Sequence, residues 1–259
     1  MNAGGYTPGI MQGVNMKQGL FEIVENTALT ESVYKMVLRG DVSDITAPGQ
    51  FVNIKLDGLY LRRPISVCNV EGDRLSIIYK VVGKGTKQMS EMTCGKLDIL
   101  TGLGNGYDMT VAGEKPVLLG GGVGVPPMYM LARKLIEQGK QVKVILGFNT
   151  KSEVFYEDAF KALGAEVTVT TVDGSYGMKG FVTDALKDME YTYFYTCGPE
   201  PMLKAVYSAS KTSGQMSFEK RMGCGFGACM GCSCKTITGY KRICKEGPVM
   251  RKEEILWEN

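Results

Sequence analysis

Four cysteines near the end of the chain restrict its fold and chemistry more than any other feature. They run Cys224-x4-Cys229-x2-Cys232, then eleven residues, then Cys244. This is the C-x4-C-x2-C…C order of plant-type [2Fe–2S] sites. Three thiolates on one loop can wrap such a cluster, and a fourth closes it from a separate strand. Gly223, Gly225, Gly227 and Gly231 interleave with the ligands. Residues that small let backbone N–H groups approach the sulfurs and tune the potential. Cys234 is a surplus thiol. A zinc knuckle made of the same thiolates is the alternative, although zinc ribbons pair two C-x2-C units and only Cys229/Cys232 is present here. A plain loop of reduced cysteines is the blandest reading. A disulfide framework does not fit, because it would spread its cysteines over a short secreted chain.

Upstream of that tail, 259 residues with 44% hydrophobic content can build real cores, which excludes global disorder. Lys+Arg number 30 against 27 Asp+Glu, a net charge of +3. Neither nucleic acid nor a membrane surface is therefore an expected partner. No apolar run approaches the ~18–20 residues of a bilayer span. The first residues lack the basic and apolar stretches of a secretory signal, so the expected compartment is the cytoplasm. Histidine is absent, which removes Ser-His-Asp triads, Cys-His dyads and His-ligated zinc. No side chain is assigned a catalytic role.

Residues 1–16, rich in Gly and Met and without periodicity, read as a flexible leader. Residues 17–113 carry six short runs: Leu20–Val24, Val33–Leu38, Phe51–Leu56, Ile65–Val70, Leu75–Val82 and Leu97–Leu100. They are rich in Val, Ile and Phe and divided by Gly, Asp or Pro turns, which predicts an antiparallel β-barrel. Residues 114–217 alternate strand and helix, with a helical stripe at Met128, Leu131, Ala132, Leu135 and Ile136. That rhythm predicts an α/β domain with a parallel sheet. Residues 218–259 are too polar in pattern for a core of their own, and a metal is what would order them.

One glycine loop points to a nucleotide by its position, and two further motifs accompany it. Gly120, Gly121, Gly122 and Gly124 lie between an apolar strand and an amphipathic helix, where backbone can approach a pyrophosphate. Pro126 and Pro127 suit the first helical turn. Pro127 stands where a dinucleotide fingerprint has its third glycine, and a tight strand–helix turn is the plainer reading. Cys197-Gly198-Pro199-Glu200-Pro201-Met202 ends a later strand and opens a helix. In the barrel, Arg63-Pro64-Ile65-Ser66 begins a strand, followed by Ile78-Tyr79-Lys80 and Gly83-Lys84-Gly85-Thr86. Arginine can meet a pyrophosphate bidentately, whereas Lys80 offers a point charge. Read blandly, Arg62 and Arg63 are edge-strand charges.

Together these motifs, in this order, resemble the electron-transfer subunits of dihydroorotate dehydrogenase B, within the ferredoxin–NADP reductase superfamily. The likeness covers about residues 20–255. It implies FAD, one [2Fe–2S] cluster and NAD as cofactors, and an FMN-containing catalytic subunit as partner in a two-plus-two heterotetramer of pyrimidine biosynthesis. By resemblance, Cys224, Cys229, Cys232 and Cys244 hold the cluster. Arg63, Pro64, Ile65, Ser66, Ile78, Tyr79, Lys80, Gly85 and Thr86 hold FAD, and Gly120–Gly124 with Cys197, Gly198 and Pro199 face NAD. Related iron–sulfur flavoprotein subunits of ferredoxin:NADP oxidoreductases and sulfhydrogenases share these features. A zinc-binding scaffold with a vestigial nucleotide fold is the rival of another class.

Overall fold

The computed structural model describes residues 16–257; apart from Met16, the expected leader lies outside them. Strands β1 (Lys17–Ala28), β2 (Val33–Arg39), β3 (Phe51–Ile54), β4 (Arg63–Glu71), β5 (Arg74–Lys80) and β6 (Lys96–Leu103) come first, with helix α1 (Lys84–Ser90) between the last two. They close into an antiparallel barrel in the order β1-β2-β5-β4-β3-β6. The period-2 alternation decides what faces inward. Leu75, Ile77 and Tyr79 of β5 join Met36, Leu38, Val52 and Ile54 in the barrel core. Ile78, between two of them, faces the neighbouring unit instead.

That unit contains β7 (Pro116–Gly121), α2 (Pro126–Glu137), β8 (Lys143–Phe148), α3 (Glu157–Ala162), β9 (Glu166–Thr171), β10 (Met178–Lys179), α4 (Val182–Leu186), β11 (Tyr193–Cys197), α5 (Glu200–Ala209) and β12 (Gly214–Ser217). The sheet order is β10-β9-β8-β7-β11-β12 with every pairing parallel. Chain order reverses at β7. In open α/β sheets, ligands bind in the crevice beyond the carboxyl ends of the strands at such a reversal. The glycine loop leaves β7, and the Cys197–Pro199 loop leaves its neighbour β11.

Helix α2 fastens the two units. Met130 is 2% exposed and sits in the barrel core, a burial that contributes about 2 kcal/mol. On the same helix Arg133 Nη2 donates to the Val70 carbonyl at 3.0 Å. Asn105, in the connection, donates to the Val249 carbonyl and accepts from the Val249 N–H at 2.7 and 3.1 Å.

The cysteine-rich segment is more structured than its polarity predicts. It forms a hairpin, β13 (Ser233–Thr236) with β14 (Gly239–Arg242), and then β15 (Val249–Arg251). β15 adds an antiparallel edge to β12. Cys232, Ile243, Cys244, Met250 and Ile255 are buried with Phe51 and Leu103 of the barrel, Phe194 and Met216 of the sheet and Leu203 of α5. The segment therefore borrows core from both neighbours, which a local hydropathy pattern does not reveal.

Candidate functional site

Two adjoining cavities occupy the groove between barrel and sheet. The larger, about 670 Å³, opens at the crevice beyond β7, β8 and β11. The smaller, about 440 Å³, lies on the barrel. Both fall in the range of small-molecule sites. Lys80, Val123 and Glu219 line both, so the two share a wall. Lys80 Nζ lies 3.9 Å from Glu153 Oε1, linking barrel and sheet across the groove.

All nine barrel residues singled out in the sequence line the smaller cavity. Arg63 packs its guanidinium over Gly85, whose absent Cβ would stand 2.3 Å from Arg63 Nε. That cradle suits a diphosphate, with a cation held against glycine backbone. Thr86 acts locally, because its hydroxyl accepts the Val82 and Gly83 N–H groups at 2.9 and 3.2 Å and so caps α1. Tyr79 borders the cavity, but its ring is buried in the barrel and its hydroxyl donates to Asn26 Oδ1 at 2.9 Å. Gly85→Ala should push the Arg63 guanidinium aside and weaken FAD binding about tenfold, the effect of losing a charge-assisted hydrogen bond. Titration of apoprotein with FAD checks this, and an unchanged affinity removes the cradle from the site.

In the larger cavity Gly121, Gly122, Gly124, Gly198 and Pro199 form one wall. Gly120 and Cys197, expected to face the nucleotide, are not among its lining residues. They are register partners on β7 and β11, one layer behind the surface. A Cβ on Gly120 would meet Val125 Cα at 2.8 Å. Burial pushes the Cys197 thiol up to about 12, with the Glu219 carboxylate adding to the effect. The glycine at 124 serves loop packing: its Cβ would stand 2.2 Å from the Cys197 carbonyl oxygen. Gly122, at φ +52 with open space beside it, is the one whose backbone faces the cavity freely.

The sequence reading missed Phe218, Glu219, Lys220 and Met222 on the flavin-side cavity and Thr170 and Phe181 on the other. Glu219 stands where the cavities meet, and lost hydration raises its carboxyl above the ordinary range. Its position just past β12 is the available signal, since crevice residues follow strand ends.

The four cysteines form two pairs. The Cys224 N–H faces Cys229 Sγ at 3.5 Å, while the Ala228 and Cys229 N–H groups donate to Cys224 Sγ at 3.2 and 3.4 Å. The Cys244 N–H donates to Cys232 Sγ at 3.4 Å. Burial alone would raise the Cys224 thiol, but the Phe226, Cys229 and Ala228 backbone groups overcome it and bring it down to about 6. A thiol so placed is a ready thiolate ligand. Four thiols under backbone N–H donors are the donor set that an iron–sulfur cluster takes.

A closed barrel joined to a parallel nucleotide-type sheet, with a cavity on each side of their groove, defines the ferredoxin-reductase class of oxidoreductases. The solved structure of an NADH-dependent reduced ferredoxin–NADP oxidoreductase superposes with a TM-score of 0.83 at 31% identity, over 92% of this chain and 90% of that one. Residues 118–208 match the oxidoreductase NAD-binding domain, and residues 219–256 match the iron–sulfur cluster binding domain of dihydroorotate dehydrogenase B. The chain is 42% identical over 255 residues to the dihydroorotate dehydrogenase B (NAD(+)) electron transfer subunit of Bacillus pumilus, spanning 93% of this chain and 98% of the relative. Its identity to the Fusobacterium nucleatum protein of the same name is 45% over 250 residues, 90% and 96% of the two chains. This chain belongs to the family of dihydroorotate dehydrogenase B electron transfer subunits.

Proposed function

We infer that this chain carries electrons from a dihydroorotate-oxidising partner to NAD+, serving pyrimidine biosynthesis. The observation that carries this reading is the contiguity of three sites: the paired cysteines lie against the barrel, and the barrel cavity shares a wall with the dinucleotide cavity. When bound, FAD supplies hydride exchange with the nicotinamide and the cluster supplies single-electron steps. The protein's own part is placement. Arg63 and the Gly83–Gly85 backbone hold a diphosphate, and Ser66 borders the same cavity. The Gly121–Gly124 and Gly198–Pro199 loops bring the dinucleotide against the shared wall. The Cys224–Cys229 loop and Cys232 with Cys244 hold the cluster under N–H donors. None of these roles needs a histidine or another proton-transfer residue for the pyrimidine.

The partner is an FMN-containing catalytic subunit, joined in a two-plus-two heterotetramer in the cytoplasm. The relatives' names, electron transfer subunits of dihydroorotate dehydrogenase B, support a catalytic partner subunit. Among the described residues no helix is long and apolar enough to cross a membrane. Protein purified without oxygen should be brown-yellow, with flavin and iron–sulfur bands, and should capture an FMN protein that oxidises dihydroorotate. A colourless protein holding zinc would overturn the redox reading. Capture of a hydrogenase or a larger flavoprotein would assign the chain to the alternative complexes.

A further inference from the structure

We propose that Asn53 is a positioning residue for electron passage between the flavin site and the cluster, holding the loop of Cys224 against the barrel. This rests on the electron-transfer reading above. Strand β3 is buried along its whole length, Phe51–Ile54, and its two faces do different work. Val52 and Ile54 point into the barrel core. Phe51 points outward and packs with Cys232, Ile243 and Cys244 of the cysteine segment. Asn53 shares that outward face and is 1% exposed. The outer face of a barrel strand is usually wet, so a carboxamide there becomes buried only because the cysteine segment covers it.

The carboxamide meets that segment at one point. Asn53 Nδ2 donates to the Cys224 carbonyl at 3.3 Å. Gly225 follows at φ +75, and a Cβ there would stand 2.2 Å from Asn53 Nδ2. The loop has therefore surrendered a side chain to let the carboxamide in. Asn53 Oδ1, by contrast, is buried and has no hydrogen-bond partner among the described residues. An unpartnered buried acceptor costs stability. Stability alone therefore favours an apolar residue of similar size, and what the carboxamide supplies instead is its contact at Cys224.

The backbone of Asn53 completes the bridge. It pairs in register with Pro64, which lines the flavin-side cavity, and its carbonyl accepts Arg62 Nη1 at 3.2 Å. One residue thus stands a single ladder step from that cavity and a single hydrogen bond from a cluster ligand. Asn53 holds the Cys224 end of the cluster loop at a fixed separation from the flavin site, and electron passage depends on that separation.

The test uses the full chain loaded with FAD and cluster, comparing the parent with Asn53→Leu, which removes the donor at similar volume. Stopped-flow mixing with NADH reads flavin reduction and then cluster reduction. Flavin reduction should keep its parent rate, iron per chain should be retained, and cluster reduction should slow several-fold as the Cys224 end of the loop shifts. The EPR line shape of the dithionite-reduced cluster should also change, because the Cys224 loop has moved. Asn53→Asp, which keeps the shape and opposes an acceptor to the Cys224 carbonyl, should show the same split and carries the test if the leucine variant does not fold. A variant with parent cluster-reduction rate and parent line shape overturns the proposal, as does a loss of rate that only tracks loss of iron. If the parent itself shows no NADH-reducible flavin or no cluster signal, the electron-transfer reading has failed, and the role of Asn53 falls with it.

Discussion

Cys232→Ser should leave a chain that still reduces its flavin with NADH yet passes almost nothing to its partner. Cys232 is 3% exposed and Cys244 2% exposed, and the two face each other beneath Ile243 and Met250. Serine is a harder and far less acidic ligand, so one half of the four-thiol set collapses. Losing even an outer-shell partner of a metal site costs about 10- to 100-fold, and losing a ligand should exceed that range for partner-dependent transfer. The barrel cavity and the dinucleotide crevice draw no wall residue from position 232, so NADH-driven flavin reduction should persist. Iron analysis and EPR after dithionite reduction measure the first effect, and anaerobic flavin bleaching measures the second. Cys234→Ser is the control: its Sγ rests 3.9 Å from Met250 Sδ, and the change should cost about 1 kcal/mol or less. Full dihydroorotate-dependent NAD reduction by Cys232→Ser would remove it from the ligand set.

Gly124→Ala should produce the opposite phenotype, a chain with intact cluster and flavin that NADH cannot reduce efficiently. The added Cβ would stand 2.2 Å from the Cys197 carbonyl oxygen, 2.4 Å from its carbon and 2.7 Å from Gly198 Cα. All three are backbone atoms at the end of β11, so no side chain can swing away. Overpacking of this kind costs about 3 kcal/mol, and relief comes only by parting the two loops that line the dinucleotide cavity. A displacement of about 1 Å there should lower flavin reduction by NADH about 100-fold. Gly122→Ala separates packing from conformation. It meets nothing within 4 Å and bears only the strain of its positive φ, about 1 kcal/mol. Steady-state flavin reduction against NADH concentration distinguishes the two. Equal rates for Gly124→Ala and the parent would show that the seam between the loops is not where the dinucleotide lies.

Contiguous residues carry contiguous chemistry. The Cys224-x4-Cys229-x2-Cys232 spacing is a property of one loop, and in the fold it yields N–H donors trained on sulfur. The family resemblance assigned the Arg63–Ser66, Ile78–Lys80 and Gly85–Thr86 segments to one flavin site, and all three line one cavity. Six short apolar runs divided by turns also foretold the barrel, and a period of two fixes which side chains face inward.

Faces that meet across the chain were not readable. No local signal shows that the Tyr79 hydroxyl finds Asn26, or that Gly120 and Cys197 stand behind the cavity wall rather than in it. Nor does hydropathy show that a polar, cysteine-rich tail donates β15 to a sheet and shelters in two borrowed cores. Asn53 and Cys224 are 171 residues apart, and their contact exists only once the tail has closed over the barrel. Thiol spacing and strand period depend on neighbours in sequence, so the chain alone determined them. Which polar group is buried, and which glycine must stay bare, depend on surfaces brought together by long-range packing, and only the tertiary structure decided those.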